Sequence, residues 1–302
     1  MGSHRSPTER TESFHGAMCA TSAFLIWGLS PFLWKMLKNV PAFEILMHRA
    51  VWSFFFVLPL IVLLKQWAGF KAALKDRSTL LILFSTTFFV STNWFVFIWA
   101  INNDHVLQTS LGYFINPLLN VLLGMVFLKE RLRRPQVLAV ALASAAVAYL
   151  TIRLGQFPWV ALTLALCFGF YGLIRKVAPV SPLVGLSVET LILSVPAVGY
   201  LVYLDFMGDG SFLHVSLTVD ILLVSTALVT ALPLLLFTLG AKQLHLSTLG
   251  FLQYIVPSCF FLFAVFVYHE PISSAEVWSF VMIWAALLIY SMDSALYYRR
   301  VA

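Results

Sequence analysis

At 302 residues, 61% hydrophobic and only 11% charged, the chain is too apolar for a soluble globular protein, in which roughly a quarter of residues are charged. Its net charge of +6 is distributed between apolar runs, which reads as membrane orientation and excludes a nucleic-acid surface as its purpose. The three cysteines, Cys19, Cys167 and Cys259, all lie within apolar segments, so packing, not a disulfide framework, is their expected role.

Residues 1–13 are polar and without pattern. They predict a flexible cytoplasmic tail, and the opening MGSH reads as an expression remnant. The first apolar run, about 14–37, is too long for a signal peptide's hydrophobic region, and no small-residue cleavage site follows it. It predicts a retained spanning helix, locally broken near Trp27, Gly28 and Pro31. Further runs follow at about 42–64, 79–100, 105–128 and 135–152. A basic loop at 65–77 and a basic cluster at 129–134 separate them, with a tight turn at Asn102 to Asp104. The second half carries runs at about 158–174, 183–204, 219–240, 246–268 and 276–296. A helix rising ~1.5 Å per residue crosses a ~30 Å hydrocarbon core in about 20 residues. The expected fold is therefore all-α integral membrane, with ten transmembrane helices.

The two halves are alike. Moving His105 to Glu130 forward by 140 positions lays it on His245 to Glu270, with Pro117 on Pro257 and Ile115 on Ile255. At an offset of 141, Gly28 falls on Gly169, Lys35 on Lys176 and Pro41 on Pro182. This predicts two five-helix repeats, 14–153 and 154–298, after the 1–13 tail. An N-terminus in the cytoplasm puts most of the 19 Lys and Arg on the inner side, including Arg175 and Lys176. Lys35, Lys38 and Arg153 stay outside and Arg49 lies within the membrane. Both termini are thus expected to be cytoplasmic. Five spans per repeat make the second repeat inverted, a plan of secondary transporters with a site near the midplane. Pro31, Pro117 and Pro257 are the expected helix-breaking positions at that site, because proline removes a backbone donor inside a span.

Arg49 is the sharpest candidate residue. It lies eight residues past Pro41, roughly 12 Å into the membrane, where its permanent charge costs ~2.5–3.5 kcal/mol on insertion scales. It predicts either a bidentate anion site for a substrate carboxylate or a structural ion pair. Glu44 and His48 share a helix face and predict a proton relay or a mutually satisfied pair. Glu189 is the clearly intramembrane acid of the second half, a candidate counter-ion for Arg49 or a second proton site. Asn93, Tyr113, Asn116, Asn120, Gln253 and Tyr254 are neutral polar groups at membrane depth, read as substrate contacts or as helix–helix glue. Trp27, Trp94 and Trp99 are read as stacking partners for an aromatic ligand or as packing and interface residues.

Three stretches resemble the RarD branch of the EamA-type transporters in the drug/metabolite transporter superfamily. They are PAFEILMHRAVWSFFF at 41–56, SLGYFINPLLNVLLGMVFLKERL at 110–132 and STLGFLQYIVPSCFFLFAVFVYHE at 247–270. The resemblance runs from about residue 15 to 297. It implies a bacterial inner-membrane protein of ten helices in two inverted repeats, with the fifth and tenth helices outside the cavity and forming a homodimer contact. It also implies proton-coupled export of small metabolites or drugs, with facilitated exchange or import of amino acids or related metabolites as the second reading. Glu130 and Glu270 are then structural or gating residues. The expected partners are a small-molecule substrate and the lipid bilayer. There is no G-x-x-x-x-G-K, HExxH, serine elbow or aspartate pair in the spans, so neither cofactor, metal nor catalytic residue is expected. A non-transporting membrane scaffold is the rival of another class.

Overall fold

The computed structural model describes residues 7–102, 106–155, 157–267 and 274–301, and among them every regular element is a helix. In chain order these are α1 (Pro7–Leu29), α2 (Pro31–Met36), α3 (Ala42–Leu63), α4 (Trp67–Lys75), α5 (Arg77–Asn102), α6 (Val106–Phe127) and α7 (Arg134–Leu154). The second half holds α8 (Trp159–Val177), α9 (Pro182–Met207), α10 (Leu217–Gln243), α11 (Leu246–Gln253), α12 (Ile255–Phe266) and α13 (Ser274–Val301). Nine described segments are long and apolar enough to cross a membrane, the first being Glu12–Met36 through α1 and α2. Leu111–Phe127 of α6 is a shorter apolar stretch.

Local chemistry sets many boundaries. Pro31 and Pro182 open α2 and α9 at the first turn, where the missing N–H is not needed. Ser181 and Ser216 accept from Val184 N and Val219 N at 3.3 Å and cap α9 and α10. Gly155 (φ 69°) and Gly208 (φ 77°) end α7 and α9 in the left-handed conformation that glycine adopts without strain.

Three expectations change. Residues 7–13 extend α1 rather than forming a patternless tail. The basic 65–77 loop contains α4, whose Phe70 and Ala73 are buried while Lys71 lies over the Trp67 ring. Pro117 does not break its span: α6 runs through it, as α3, α9 and α10 run through Pro59, Pro196 and Pro233. A spanning helix absorbs a proline when neighbours occupy the freed groups. Beside the other two expected prolines the spans are interrupted, at Ser30, just before Pro31, and at Tyr254, three residues before Pro257. Glu270 and part of the 102–104 turn lie outside the described residues.

The main packing pairs are α1 on α10, α6 on α8, α3 on α9, α7 on α13 and α6 on α11. Small residues permit two close crossings at equivalent places in the halves. A Cβ on Gly28 would lie 2.8 Å from Cys259 Cβ, and one on Gly169 would lie 2.9 Å from Leu119 Cδ2. Large apolar side chains such as Phe55, Phe88, Val195, Phe206 and Leu288 face outward. Such exposure is a liability in water and the expected state in lipid.

Candidate substrate site

Arg49 projects from α3 between two aromatic rings. Its guanidinium carbon lies 5.0 Å from the ring centre of Trp34 on α2 and 4.6 Å from that of Trp94 on α5. Its Nε donates to Thr230 Oγ1 on α10 at 3.0 Å. Tyr113 on α6 is near enough to interact with it electrostatically and packs edge-on against Phe97 and Phe260, at 6.2 and 5.7 Å between centres. Four spans from both halves thus converge on one cation. Ring faces stabilise it by ~0.5–2 kcal/mol, but they do not neutralise it. Among the described residues no carboxylate lies within ion-pair distance of Arg49. A guanidinium carries five N–H donors, so donors remain for a planar anion.

Glu189, the acid that sequence reasoning offered to Arg49, is committed elsewhere. Glu189 pairs with Arg175, Oε1 to Nε 3.4 Å, and accepts from Thr86 Oγ1 at 2.5 Å and Tyr171 Oη at 3.4 Å. Arg175 was counted among the cytoplasmic cations, yet it is fully buried and donates through Nη2 to Pro182 O at 2.8 Å. A Cβ on Gly185 would run into its guanidinium, so glycine makes the room. Glu44 is buried and accepts from Ser211 N at 2.6 Å and Ser211 Oγ at 2.8 Å. It pins the α9–α10 connection to α3. His48 Nε2 stands 3.9 Å from Glu44, its Nδ1 accepts from Trp52 Nε1 at 3.1 Å, and its ring lies 5.1 Å from that of Phe212.

The other candidates separate into three groups. Trp27 packs with Phe24, Phe168 and Phe237; with Tyr171, which contacts Phe168 and Phe237, these rings form an aromatic plug apart from the Trp34–Trp94 pair. Trp99 packs on Trp159, 5.1 Å between centres. Asn93, although next to Trp94, donates to Leu164 O at 2.8 Å and joins α5 to α8. Asn120 donates to Gln253 Oε1 at 2.8 Å, Tyr254 donates to Phe114 O at 3.2 Å, and Asn116 is buried beside them on α6. Trp34 and Thr230 were missed. Trp34 follows Pro31 in the broken first span, and Thr230 is a polar residue mid-run; both signals were present but weak.

At one end of the bundle the helix termini are clasped by charged side chains. Glu130 accepts from Leu246 N (2.6 Å), Ser247 N (2.9 Å) and Ser247 Oγ (2.7 Å) at the start of α11. Burial alone would raise its carboxyl, but hydrogen bonds from His245, Ser247 and Leu246 outweigh it and hold it down at about 2. Lys176 on α8 caps Ala241 O and Leu244 O at the end of α10, while Lys242 on α10 caps Ala178 O at the end of α8.

A many-spanned helical bundle with an unpaired cation caged at membrane depth is the make-up of a membrane transporter. The chain belongs to the EamA-like transporter family, which matches residues 14–152, and within it to the RarD branch. It is 45% identical over 289 residues to "Protein RarD" of Salmonella typhi, covering 94% of this chain and 97% of that protein. It is 42% identical over 294 residues to the "Uncharacterized transporter YojE" of Bacillus subtilis, covering 94% and 96%. A solved crystal structure superposes with a TM-score of 0.71 at 17% identity, over 92% of this chain and 96% of that one, and shares the fold. The protein is therefore a multi-pass protein of the bacterial inner membrane.

Proposed function

We propose that this protein is a secondary active transporter that exports a small carboxylate-bearing metabolite or drug by alternating access. The observation that carries the reading is Arg49, held by Trp34, Trp94 and Thr230 and left without a carboxylate partner among the described residues. An anionic substrate completes its coordination, and the aromatic walls favour a flat or apolar remainder. The protein is read as a carrier and not an enzyme.

The reading places ten spans in two inverted five-helix repeats with both termini cytoplasmic. Three contacts support the repeat. Gly28 meets Cys259 as Gly169 meets Leu119, and both partners are repeat mates. Tyr254 bonds its own mate, Phe114, as residues beside a two-fold axis do. On this orientation the Glu130, Lys176 and Lys242 clasps close the cytoplasmic end, and Glu44 closes the outer end through Ser211. Rocking one repeat against the other requires one set to open while the other holds. Transport draws on an ion gradient. A proton acts, on this reading, through Glu44, His48 or Glu189, whose contacts change with protonation. The α7–α13 pair, with Leu138 and Trp278 facing outward, supplies the homodimer contact.

The test is a melting screen of purified protein against amino acids, nucleobases, organic acids and amphenicol drugs, run beside Arg49→Ala. A ligand at a hundred times its Kd stabilises by ~2.7 kcal/mol. A carboxylate that stabilises the native protein and not the variant is the expected result. A ligand that stabilises both alike, or full transport by the variant, moves the site away from Arg49.

A further inference from the structure

The polar residues where α6 crosses α11 take no part in the Arg49 cage. Asn116 and Asn120 lie one turn apart on α6 and so share a face. They are 5% and 0% exposed, and the Oδ1 atom of each has no hydrogen-bond donor. Asn120 uses its Nδ2 on Gln253 Oε1 at 2.8 Å. Native proteins leave few buried oxygens in this state, and an ion or water is the usual reason.

The backbone adds oxygens at the same crossing. Pro117 has no N–H for the carbonyl four residues earlier, that of Tyr113, and Pro257 has none for that of Gln253. Tyr113 and Gln253 are repeat mates. The helices approach closely here: a Cβ on Gly250 would lie 2.6 Å from the Pro117 carbonyl oxygen. Tyr254, at the α11–α12 break, holds the crossing through Phe114 O.

We propose that this crossing is a site for a dehydrated monovalent cation of sodium's size, bound by the side-chain oxygens of Asn116, Asn120 and Gln253 and completed by the carbonyls of Tyr113 and Gln253. The donor set selects the ion. Every ligand is a neutral oxygen. Calcium sites draw on carboxylates, and zinc and other transition metals on nitrogen and sulfur; the described residues hold no such His, Cys, Asp or Glu cluster. Neutral oxygens at interrupted helices are where transporters coordinate sodium. Tyr113, whose side chain neighbours Arg49, supplies one of the carbonyls, so the cation and Arg49 meet the same residue of α6. An anion on Arg49 and a cation here then favour each other's binding reciprocally. That coupling rests on the transporter reading; the cation site does not.

The experiment is melting of the purified full chain in sodium, potassium and choline chloride at equal ionic strength, with equilibrium binding of radioactive sodium. The expected result is a saturable rise in melting temperature with sodium over choline, lost in Asn116→Ala and Asn120→Leu together with radioactive sodium binding. Asn116→Ala carries the test if Asn120→Leu does not fold. An ordered water would donate to the same two oxygens and be indifferent to the salt, so equal melting in all three salts overturns the site. A sodium shift that survives both substitutions also overturns it. The carboxylate screen on Arg49→Ala is read in one fixed salt, so either reading fails without the other.

Discussion

Two arginines of the spanning helices, Arg49 and Arg175, are treated in opposite ways. Arg175 is fully buried and answered by the protein itself: Glu189 supplies the charge, Pro182 a carbonyl, and Gly185 the space. Arg49 receives two ring faces and one hydroxyl. Burying a charge stabilises nothing unless a partner offsets the desolvation. A cation whose partner belongs to the protein is a fixture of the fold. A cation without a carboxylate partner among the described residues is, on the proposed reading, kept for something that comes and goes.

The comparison breaks most visibly at Arg175. Removing one member of a buried pair leaves the other charge unanswered, at a cost of ~3–5 kcal/mol. Arg175→Met is therefore expected to lower the melting temperature of the purified protein severely, and Glu189→Leu in the same chain to recover most of the loss. A single variant as stable as the native protein would mean that the pair does not hold α8 to α9. Arg49→Ala should behave in the reverse manner. It removes a charge that no acid among the described residues pairs with, so melting without ligand stays near the native value. Ligand affinity falls by the worth of charged hydrogen bonds, ~1.5–3 kcal/mol, or roughly 10–150-fold. If Arg49→Ala destabilises as much as Arg175→Met, the two arginines are of one kind and the anion site falls. Trp94→Leu is a finer cut. It removes one ring from the Arg49 cage, worth ~0.5–2 kcal/mol, and should weaken carboxylate binding by less than Arg49→Ala does. Binding unaffected by the loss of Trp94 would show that the ring packs without caging the cation.

Much of this contrast was legible in residue order, and its limits are instructive. The apolar runs, the internal repeat and the depth of Arg49 follow from length and periodicity, because a bilayer constrains helices along one axis. Pairings lie across helices, where one-dimensional spacing is silent. Arg175 reads as a loop cation because it ends an apolar run beside Lys176; the α8–α9 turn folds back and buries it against Glu189, 14 positions on. Glu189 reads as a counter-ion for Arg49 because charge was counted and azimuth was not known. Trp34 and Thr230 are ordinary in their runs and become site residues only when α2 and α10 meet α3. Pro117 and Pro257 are equivalent in the repeat, yet only the span of Pro257 is interrupted, at Tyr254. The identity of the prolines does not decide that; the neighbours of each helix do.

The smallest effect tests the same distinction with an acid. Among the described residues no lysine or arginine is bonded to Glu130; its carboxylate is met by N–H and O–H donors at the start of α11 and by the His245 ring. Burial opposes the charge, the donors outweigh burial, and the group titrates at about 2 against an ordinary 4.5. The unfolded chain then binds a proton more readily than the folded one between those values. The stabilisation by Glu130 is present above about pH 4.5 and is lost as pH falls through about 2. Native protein is expected to lose melting temperature more steeply than Glu130→Gln as pH falls from about 5 toward 3, and the two curves to converge at the acid end. Parallel curves would mean that the donors do not favour the ionised form. Glu130 joins the turn after α6 to the start of the broken span of α11 and α12. On the proposed alternating-access reading, a clasp that loosens with acid at this end biases which end of the bundle opens.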